Sequence, residues 1–125
     1  MSPRASARAP EPAPVFAALG DATRLGLVAT LSDGRPRSLS ELKQGSRLTR
    51  QAVAKHLRVL EGAGLVSSLR VGRETRFAFR PEPIVGVLTW LDDIGRQWED
   101  ALARLKAFAE ADRPHFAVAT ARGLA

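Results

Sequence analysis

The sequence predicts a mainly α fold of the α+β class, in which short helices precede a two-stranded β-hairpin and a long last helix. Apolar residues recur with helical spacing as far as Gly64, alternate with polar residues from Leu65 to Arg80, and return to helical spacing from Ile84. Glycines and prolines lie where the spacing changes, as they do at turns. The 125 residues are enough for one domain.

The first third of the chain predicts three short helices after a flexible arm. Residues 1–13 alternate Pro with Ala and Arg and carry no periodic apolar pattern, so we expect an arm there and a folded domain over residues 14–111. Asp21 follows a glycine and is a good N-cap for a second helix. Ser38-Leu39-Ser40-Glu41 has the spacing of a capping box and opens a brief third helix.

The next helix has one apolar face and one basic face. Thr49 lies between two apolar residues in the positions of a hydrophobic staple, so we expect it to cap this helix. The predicted buried stripe consists of Val53, Leu57 and Leu60. The predicted outer face carries Gln51, Ala54, Lys55 and Arg58. A short loop that contains Gly45 precedes the helix and has helix-turn-helix length.

Two alternating segments flank Gly72-Arg73-Glu74, which we interpret as a hairpin loop. The long helix that follows is predicted over residues 84–111, and residues 112–125 are predicted to be a flexible tail. About 28 helical residues span ~42 Å, longer than so small a domain covers by itself. We therefore expect a second copy of the chain to bury its apolar stripe, as a homodimer. The predicted interface residues are Leu88, Leu91, Ile94, Trp98, Leu102 and Leu105.

Charge is unevenly distributed along the chain. The formal net charge is +6 and the isoelectric point is near 11.2. Lys43 to Arg80 holds nine basic and two acidic residues, whereas Ile84 to Asp112 holds three basic and six acidic ones. A basic helix face alone is often only a solvated surface. Together with the basic hairpin, it indicates a polyanionic partner, which we expect to be double-stranded DNA.

A short helix, a turn, a capped basic helix and a basic hairpin, in that order, are typical of a winged helix-turn-helix. In such a fold the recognition helix enters the ~12 Å wide major groove and the hairpin, or wing, reaches phosphates or the minor groove. The candidates for the major groove are Thr49, Arg50, Gln51, Lys55 and Arg58. The candidates on the wing are Arg70, Arg73 and Arg76. Among them Arg50 and Gln51 are the expected base readers, because Arg can bond guanine and Gln adenine in bidentate fashion.

Other functions find little support in the sequence. The chain has no Cys, which excludes disulfides, thiolate metal sites and cysteine nucleophiles. His56 and His115 lack partners at metal-ligand spacing, so we expect no metal and no cofactor. The carboxylates from Asp92 to Asp100 are interpreted as a solvated face, and no catalytic motif indicates an enzyme. No apolar run approaches the ~18 residues of a spanning helix and the N-terminus lacks the apolar block of a signal peptide, so we expect a cytoplasmic protein without membrane contact.

The segments VFAALGDATRLGLVATL and SLSELKQGSRLTRQAVAKHLRVLEGAGLVSSLRVGRETRFAF resemble the ArsR/SmtB family of bacterial winged-helix transcriptional repressors. The resemblance covers about residues 14–110 and is most specific in ALGDATR (18–24) and AVAKHLRVL (52–60). It implies a homodimer that binds a palindromic operator, associates with the nucleoid when bound, and blocks transcription.

The departures from the family concern its metal sites. The Cys-x-Cys of its metal sensors falls on Ser38 and Ser40 here, and the predicted long helix contains no His. The chain therefore resembles the metal-independent branch, and its small-molecule effector is unknown. Two alternatives remain open at this point: a winged helix that docks onto another protein, and a repressor that responds to an unrecognised small-molecule ligand.

Overall fold

A computed structural model of the protein describes residues 11–112. In that part, the chain forms five helices and three strands. In chain order they are α1 (Pro12–Leu19), α2 (Ala22–Leu31), β1 (Arg37–Ser38), α3 (Leu39–Lys43), α4 (Arg50–Gly62), β2 (Val66–Val71), β3 (Glu74–Phe79) and α5 (Glu82–Asp112). Residues 1–10 of the predicted arm and 113–125 of the predicted tail, with His115, lie outside the described residues.

The chain divides into two compact units, of which the first ends at Leu88 and the second begins at Thr89. The first unit contains α1 to α4, the three strands and the start of α5. The described part of the second unit is the remainder of α5. The first unit therefore contains every residue that the sequence proposes for contact with DNA.

Side-chain caps begin α2, α3 and α4 where the sequence predicts them. The Asp21 carboxylate accepts a hydrogen bond from the Arg24 backbone N–H at 3.1 Å. The Ser38 hydroxyl accepts from the Glu41 N–H at 3.2 Å, and the Glu41 carboxylate accepts from the Ser38 N–H at 2.9 Å, which completes the capping box. The Thr49 hydroxyl accepts from the Ala52 N–H at 3.1 Å. Each cap satisfies a donor that the helix itself leaves unpaired.

The outer helices are slightly longer than predicted. α1 begins at Pro12, so residues 12 and 13 are helical rather than part of the arm. Proline is compatible with a first helical turn because its missing N–H would have no partner there. α5 begins at Glu82 and extends to Asp112, one residue into the predicted tail.

The three strands form one antiparallel sheet in the order β1-β3-β2. The strand β1 was not predicted; its two residues pair with β3, Arg37 opposite Phe77 and Ser38 opposite Arg76. The predicted three-residue hairpin loop is wrong by one residue. Glu74 pairs with Val71, so the loop is only Gly72-Arg73. Gly72 has φ +64°, a left-handed conformation that favours glycine.

One hydrophobic core holds the first unit together. The predicted stripe of α4 is buried, with Val53, Leu57 and Leu60 each at most 1% exposed. The other core residues come from α1, α2, α3, α5 and the segment that enters β2: Val15, Ala18, Leu27, Leu31, Leu42, Leu65, Val66 and Val87. Phe77 and Phe79 of β3 pack against this core. The core therefore fixes which face of α4 remains outside.

The remainder of α5 is largely exposed in the second unit. Its apolar side chains Leu91, Ile94 and Trp98 are exposed, and Arg96 forms ion pairs with Asp92 at 2.7 Å and Asp93 at 2.8 Å. Across residues 11–112, no single helix is both long enough and apolar enough to cross a membrane.

An ion pair joins the end of α2 to β1. The Arg37 guanidinium donates to the two oxygens of Asp33 at 2.8 and 3.1 Å, and to the Thr30 carbonyl at 2.7 Å. The Arg35 backbone N–H also donates to Asp33, at 2.9 Å. The Arg37 hydrogen bond, followed by that of Arg35, holds the pKa of the Asp33 carboxyl well below its ordinary value.

We predict that Asp33→Asn makes stability less dependent on acidic pH. Because the pKa of Asp33 is lower in the folded state than in the unfolded chain, its carboxylate stabilises the fold above about pH 4, and this contribution is lost as the pH falls further. Urea unfolding at about pH 7 and about pH 3 measures the effect. Wild type should exceed Asp33→Asn at the higher pH, and the gap should shrink at the lower one. A gap of equal size at both values contradicts the prediction, and in an Arg37→Gln background the gap should depend less on pH.

Candidate nucleic-acid interface

The N-cap and the outer face of α4 carry all five residues that the sequence proposes for the major groove. The side chains of Thr49, Arg50, Gln51, Lys55 and Arg58 are exposed, whereas the stripe on the opposite side of the helix is buried. The first turn of α4 contains no acidic residue and begins with an arginine. A cation at a helix N-terminus is locally unfavourable because the helix dipole is positive there. This end of α4 is therefore suited to an anionic partner.

Arg50 does not extend freely from the helix. Its guanidinium donates a hydrogen bond to the Ser40 hydroxyl of α3 at 2.9 Å. Arg50 and Ser40 line a cavity of about 340 Å³ together with Arg73 of the hairpin loop. The structure thus brings the start of the recognition helix and the tip of the wing to the same cavity, which the sequence did not predict.

The three wing arginines do not all lie on one face of the sheet. Residues opposite one another in an antiparallel pair lie on the same face of the sheet. Arg70 is opposite Thr75, whereas Arg76 is opposite Leu69, so Arg70 and Arg76 lie on opposite faces. The Arg70 face also carries Ser68, whose hydroxyl donates to the Glu61 carboxylate of α4 at 2.6 Å. Arg70 therefore shares the face of the wing that is turned towards α4.

Arg76 has partners within the protein. It is half-buried and forms an ion pair with Glu74 at 2.9 Å. The Ser38 backbone N–H, and more weakly the Arg76 charge, hold the pKa of Glu41 below its ordinary value. Arg76 is thus paired with the Glu74 carboxylate of β3, whereas Arg70 and Arg73 are exposed.

A contact between α2 and α4 was not predicted from the sequence. Arg24 donates to the Ala18 carbonyl at 2.6 Å, and its guanidinium lies 3.1 Å from Nδ1 of His56 on α4. When the imidazole is neutral, its Nδ1 can accept this bond, because a guanidinium only donates. The same Nδ1 lies 3.8 Å from the Asp21 carboxylate. The Arg24 backbone N–H, with smaller contributions from the His56 and Arg24 charges, lowers the pKa of Asp21. Only the cap at Asp21 hinted at this cluster, because the two helices are far apart in sequence.

The positions that the family resemblance assigns to metal ligands have other roles. Ser38 caps α3 and Ser40 accepts the hydrogen bond from Arg50. In the part of the chain that the structure describes, no three side chains of His, Cys, Asp or Glu are grouped closely enough to hold a metal ion.

A helix with one buried face and one exposed basic face, preceded by a short helix and a turn and followed by a β-hairpin, defines a winged helix-turn-helix protein. The helix-turn-helix domain family matches residues 19–68. The protein is 42% identical to the uncharacterized HTH-type transcriptional regulator YuzN of Bacillus subtilis (strain 168), over 62% of this chain and 92% of YuzN. It is 36% identical to the HTH-type transcriptional regulator Rv2034 of Mycobacterium tuberculosis, over 68% of this chain and 76% of Rv2034.

Solved structures give the same result. An ArsR-like transcriptional regulator from Rhodococcus sp. RHA1 superposes with a TM-score of 0.70 at 39% identity, over 78% of this chain and 92% of that one. The ArsR family regulator RHA00566 superposes with a TM-score of 0.64 at 32% identity, over 69% and 93%. The chain therefore belongs to the ArsR family of helix-turn-helix transcriptional regulators, and it is a DNA-binding regulator of transcription.

We predict that Arg24→Gln destabilises the first unit by about 1–3 kcal/mol. The substitution removes the charge of the guanidinium and its hydrogen bonds to the Ala18 carbonyl and to the His56 ring. Chemical denaturation of the purified protein measures this. Arg58→Gln, on the exposed face of α4, is the matched control and should change stability by less than about 0.5 kcal/mol. Equal stability of the two variants would contradict the role assigned to Arg24.

Proposed function

We propose that this protein is a homodimeric repressor that binds a palindromic operator and does not respond to metal ions. The observation that carries the proposal is the exposed basic face of α4, opposite a stripe that is almost completely buried. A helix anchored in this way can present the same side chains to the major groove each time it binds. Occupancy of an operator then prevents transcription.

The proposed contacts with DNA divide into two kinds. Gln51 is proposed to read a base edge, since its amide can bond adenine in bidentate fashion. Lys55 and Arg58 extend the same face and are proposed to contact phosphates or neighbouring bases. On the wing, the exposed Arg70 and Arg73 are proposed to contact the backbone. Arg76 is expected to contribute less, because it is half-buried and paired with Glu74.

The apolar face of α5 supports a homodimer. Leu88, Leu91, Ile94, Trp98 and Leu105 are exposed, and Trp98 leaves 60% of its surface to solvent. Leu102, the sixth predicted interface residue, is half-buried. Exposed apolar patches of this kind mark interfaces, and aromatic residues are frequent anchors in them. A two-fold dimer would also present two recognition helices to half-sites about one helical turn of DNA apart.

The proposal that metal ions do not control this protein is based on the side-chain atoms at positions 38 and 40. The hydroxyls of Ser38 and Ser40 replace the thiolates that the family resemblance expects, and hydroxyls are poor ligands for soft metals. Both hydroxyls also have hydrogen-bond partners within the fold. The signal that releases the operator is therefore proposed to be something other than a thiophilic metal.

We predict that Gln51→Ala reduces discrimination between the operator and a scrambled sequence, whereas Arg73→Ala weakens binding to both. The lost base contact corresponds to ~1–3 kcal/mol of discrimination, and the lost phosphate contact lowers the salt slope by ~1. Fluorescence anisotropy with the DNA upstream of the gene, at two salt concentrations, measures both quantities.

Two outcomes would contradict these assignments. If Arg73→Ala left affinity unchanged at every salt concentration, the proposed phosphate contact at the tip of the wing would be wrong. If the wild-type protein bound upstream and scrambled DNA equally weakly, sequence-specific binding would be wrong, and docking onto another protein would become the better interpretation of the basic face.

We predict that Trp98→Ala weakens the dimer by at least about 2 kcal/mol, or roughly 30-fold, because a large apolar side chain would leave the interface. Sedimentation equilibrium measures the association constant. Gln97→Ala changes an adjacent exposed polar residue of the same helix and should leave association unchanged. If neither variant altered association, α5 would not provide the interface through this face.

A further inference from the structure

One cavity of the first unit has no role in the proposed contact between Gln51 of α4 and a base edge. It measures about 340 Å³ and lies between the start of α3, the start of α4 and the tip of the wing. Its lining residues include the polar Ser40, Arg50, Arg73 and Thr75 and the apolar Phe77. Because both arginines are exposed, the cavity opens to solvent beside the proposed base reader Gln51.

The geometry of Arg50 distinguishes it from the other basic residues of α4. Its bond to the Ser40 hydroxyl at 2.9 Å holds the guanidinium against α3, at the wall of the cavity. A guanidinium has five N–H donors in a planar fork, and Ser40 accepts only from Nη1. The remaining donors suit an anion that enters the cavity. An arginine whose guanidinium is bonded to α3 is better placed to contact the DNA backbone than to reach a base edge.

The charges of the lining favour an anion. Glu74 is the only acidic residue among the lining residues, and its carboxylate forms an ion pair with Arg76 at 2.9 Å. Arg50 and Arg73 therefore dominate the local charge among the lining residues. Arginine forks match the tetrahedral oxygens of phosphate, which can accept from two guanidinium groups at once.

We propose that Arg50 and Arg73 together bind one phosphodiester of the DNA backbone in this cavity. The proposal rests on the proposed function and assigns Arg50 a positioning role instead of the base-reading role that the sequence predicts. The recognition helix and the wing then hold the same phosphate, so that they engage the same DNA strand and fix the register in which Gln51 meets its base.

A double-mutant cycle tests this assignment. Operator and scrambled DNA are titrated with wild type, Arg50→Ala, Arg73→Ala and the double variant, across a series of salt concentrations. We expect each single variant to bind operator and scrambled DNA about 10-fold more weakly, and the double variant only about 10- to 20-fold more weakly instead of about 100-fold. The salt slope should fall by ~1 in each single variant and by no more in the double variant, because one phosphate contact is lost in all three.

Arg70 provides the matched control. It belongs to the same wing and is exposed, but it is not among the residues that line the cavity. Arg50→Ala combined with Arg70→Ala should therefore weaken binding by the product of the two single effects. Arg50→Lys and Arg73→Lys keep the charge but lose the fork, so they should retain the salt slope while affinity falls. These lysine variants keep the test decisive if an alanine variant fails to fold.

The outcomes separate this inference from the proposed function. If wild type prefers the operator but the effects of Arg50→Ala and Arg73→Ala multiply as the control pair does, the shared phosphate is wrong and the proposed function stands. A loss of affinity in Arg50→Ala that is confined to the operator would restore Arg50 as a base reader. If wild type itself does not prefer the operator, the proposed function fails together with this inference.

Discussion

The orientation of α4 depends on the burial of its apolar stripe. Val53, Leu57 and Leu60 are each at most 1% exposed, and burial of one such side chain stabilises a fold by about 1.5–3 kcal/mol. Exposed ion pairs contribute about 0–1 kcal/mol each and weaken with salt. The polar contacts at the ends of α4, including that of Arg50 with Ser40, are therefore too weak to set the orientation of the helix and only adjust side chains on it. The direction of the basic face is fixed because the apolar face opposite it is buried in the core.

The caps determine which residues that orientation presents. Thr49 ends the loop and makes Arg50 and Gln51 the first two residues of the helix. In the first turn, backbone N–H groups point towards the N-terminal end of the helix and the helix dipole is positive there, so a cation costs stability unless an anion is nearby. Local rules are most often broken at functional sites, where a partner supplies the compensation. The arginine at the start of α4 is such a departure, and a DNA phosphate is a partner of the right charge.

Local signals made much of the fold predictable, whereas contacts across the chain were not. The caps at Asp21, Ser38 and Thr49 and the stripe of α4 are encoded within a few residues, and the structure agrees with them. A strand of two residues, β1, has no period to detect. The contact between Arg24 and His56 joins residues 32 positions apart, and no spacing rule relates them.

The arrangement of the wing depends on a single residue of register. A three-residue loop would have placed Arg70 directly opposite Arg76, with both arginines on one face. The observed two-residue loop places Arg70 opposite Thr75 and separates the two arginines. At the cavity, the same shift places Glu74 in β3, where it pairs with Arg76 and leaves Arg73 alone at the tip with Gly72. Two hydroxyls at the start of α3 complete this arrangement: Ser38, the N-cap, forms the capping box, and Ser40 contacts Arg50 directly. Of the two positions that the family resemblance aligns with a metal site, Ser40 is therefore one hydrogen bond from the first residue of α4, whereas Ser38 bonds only within the cap of α3.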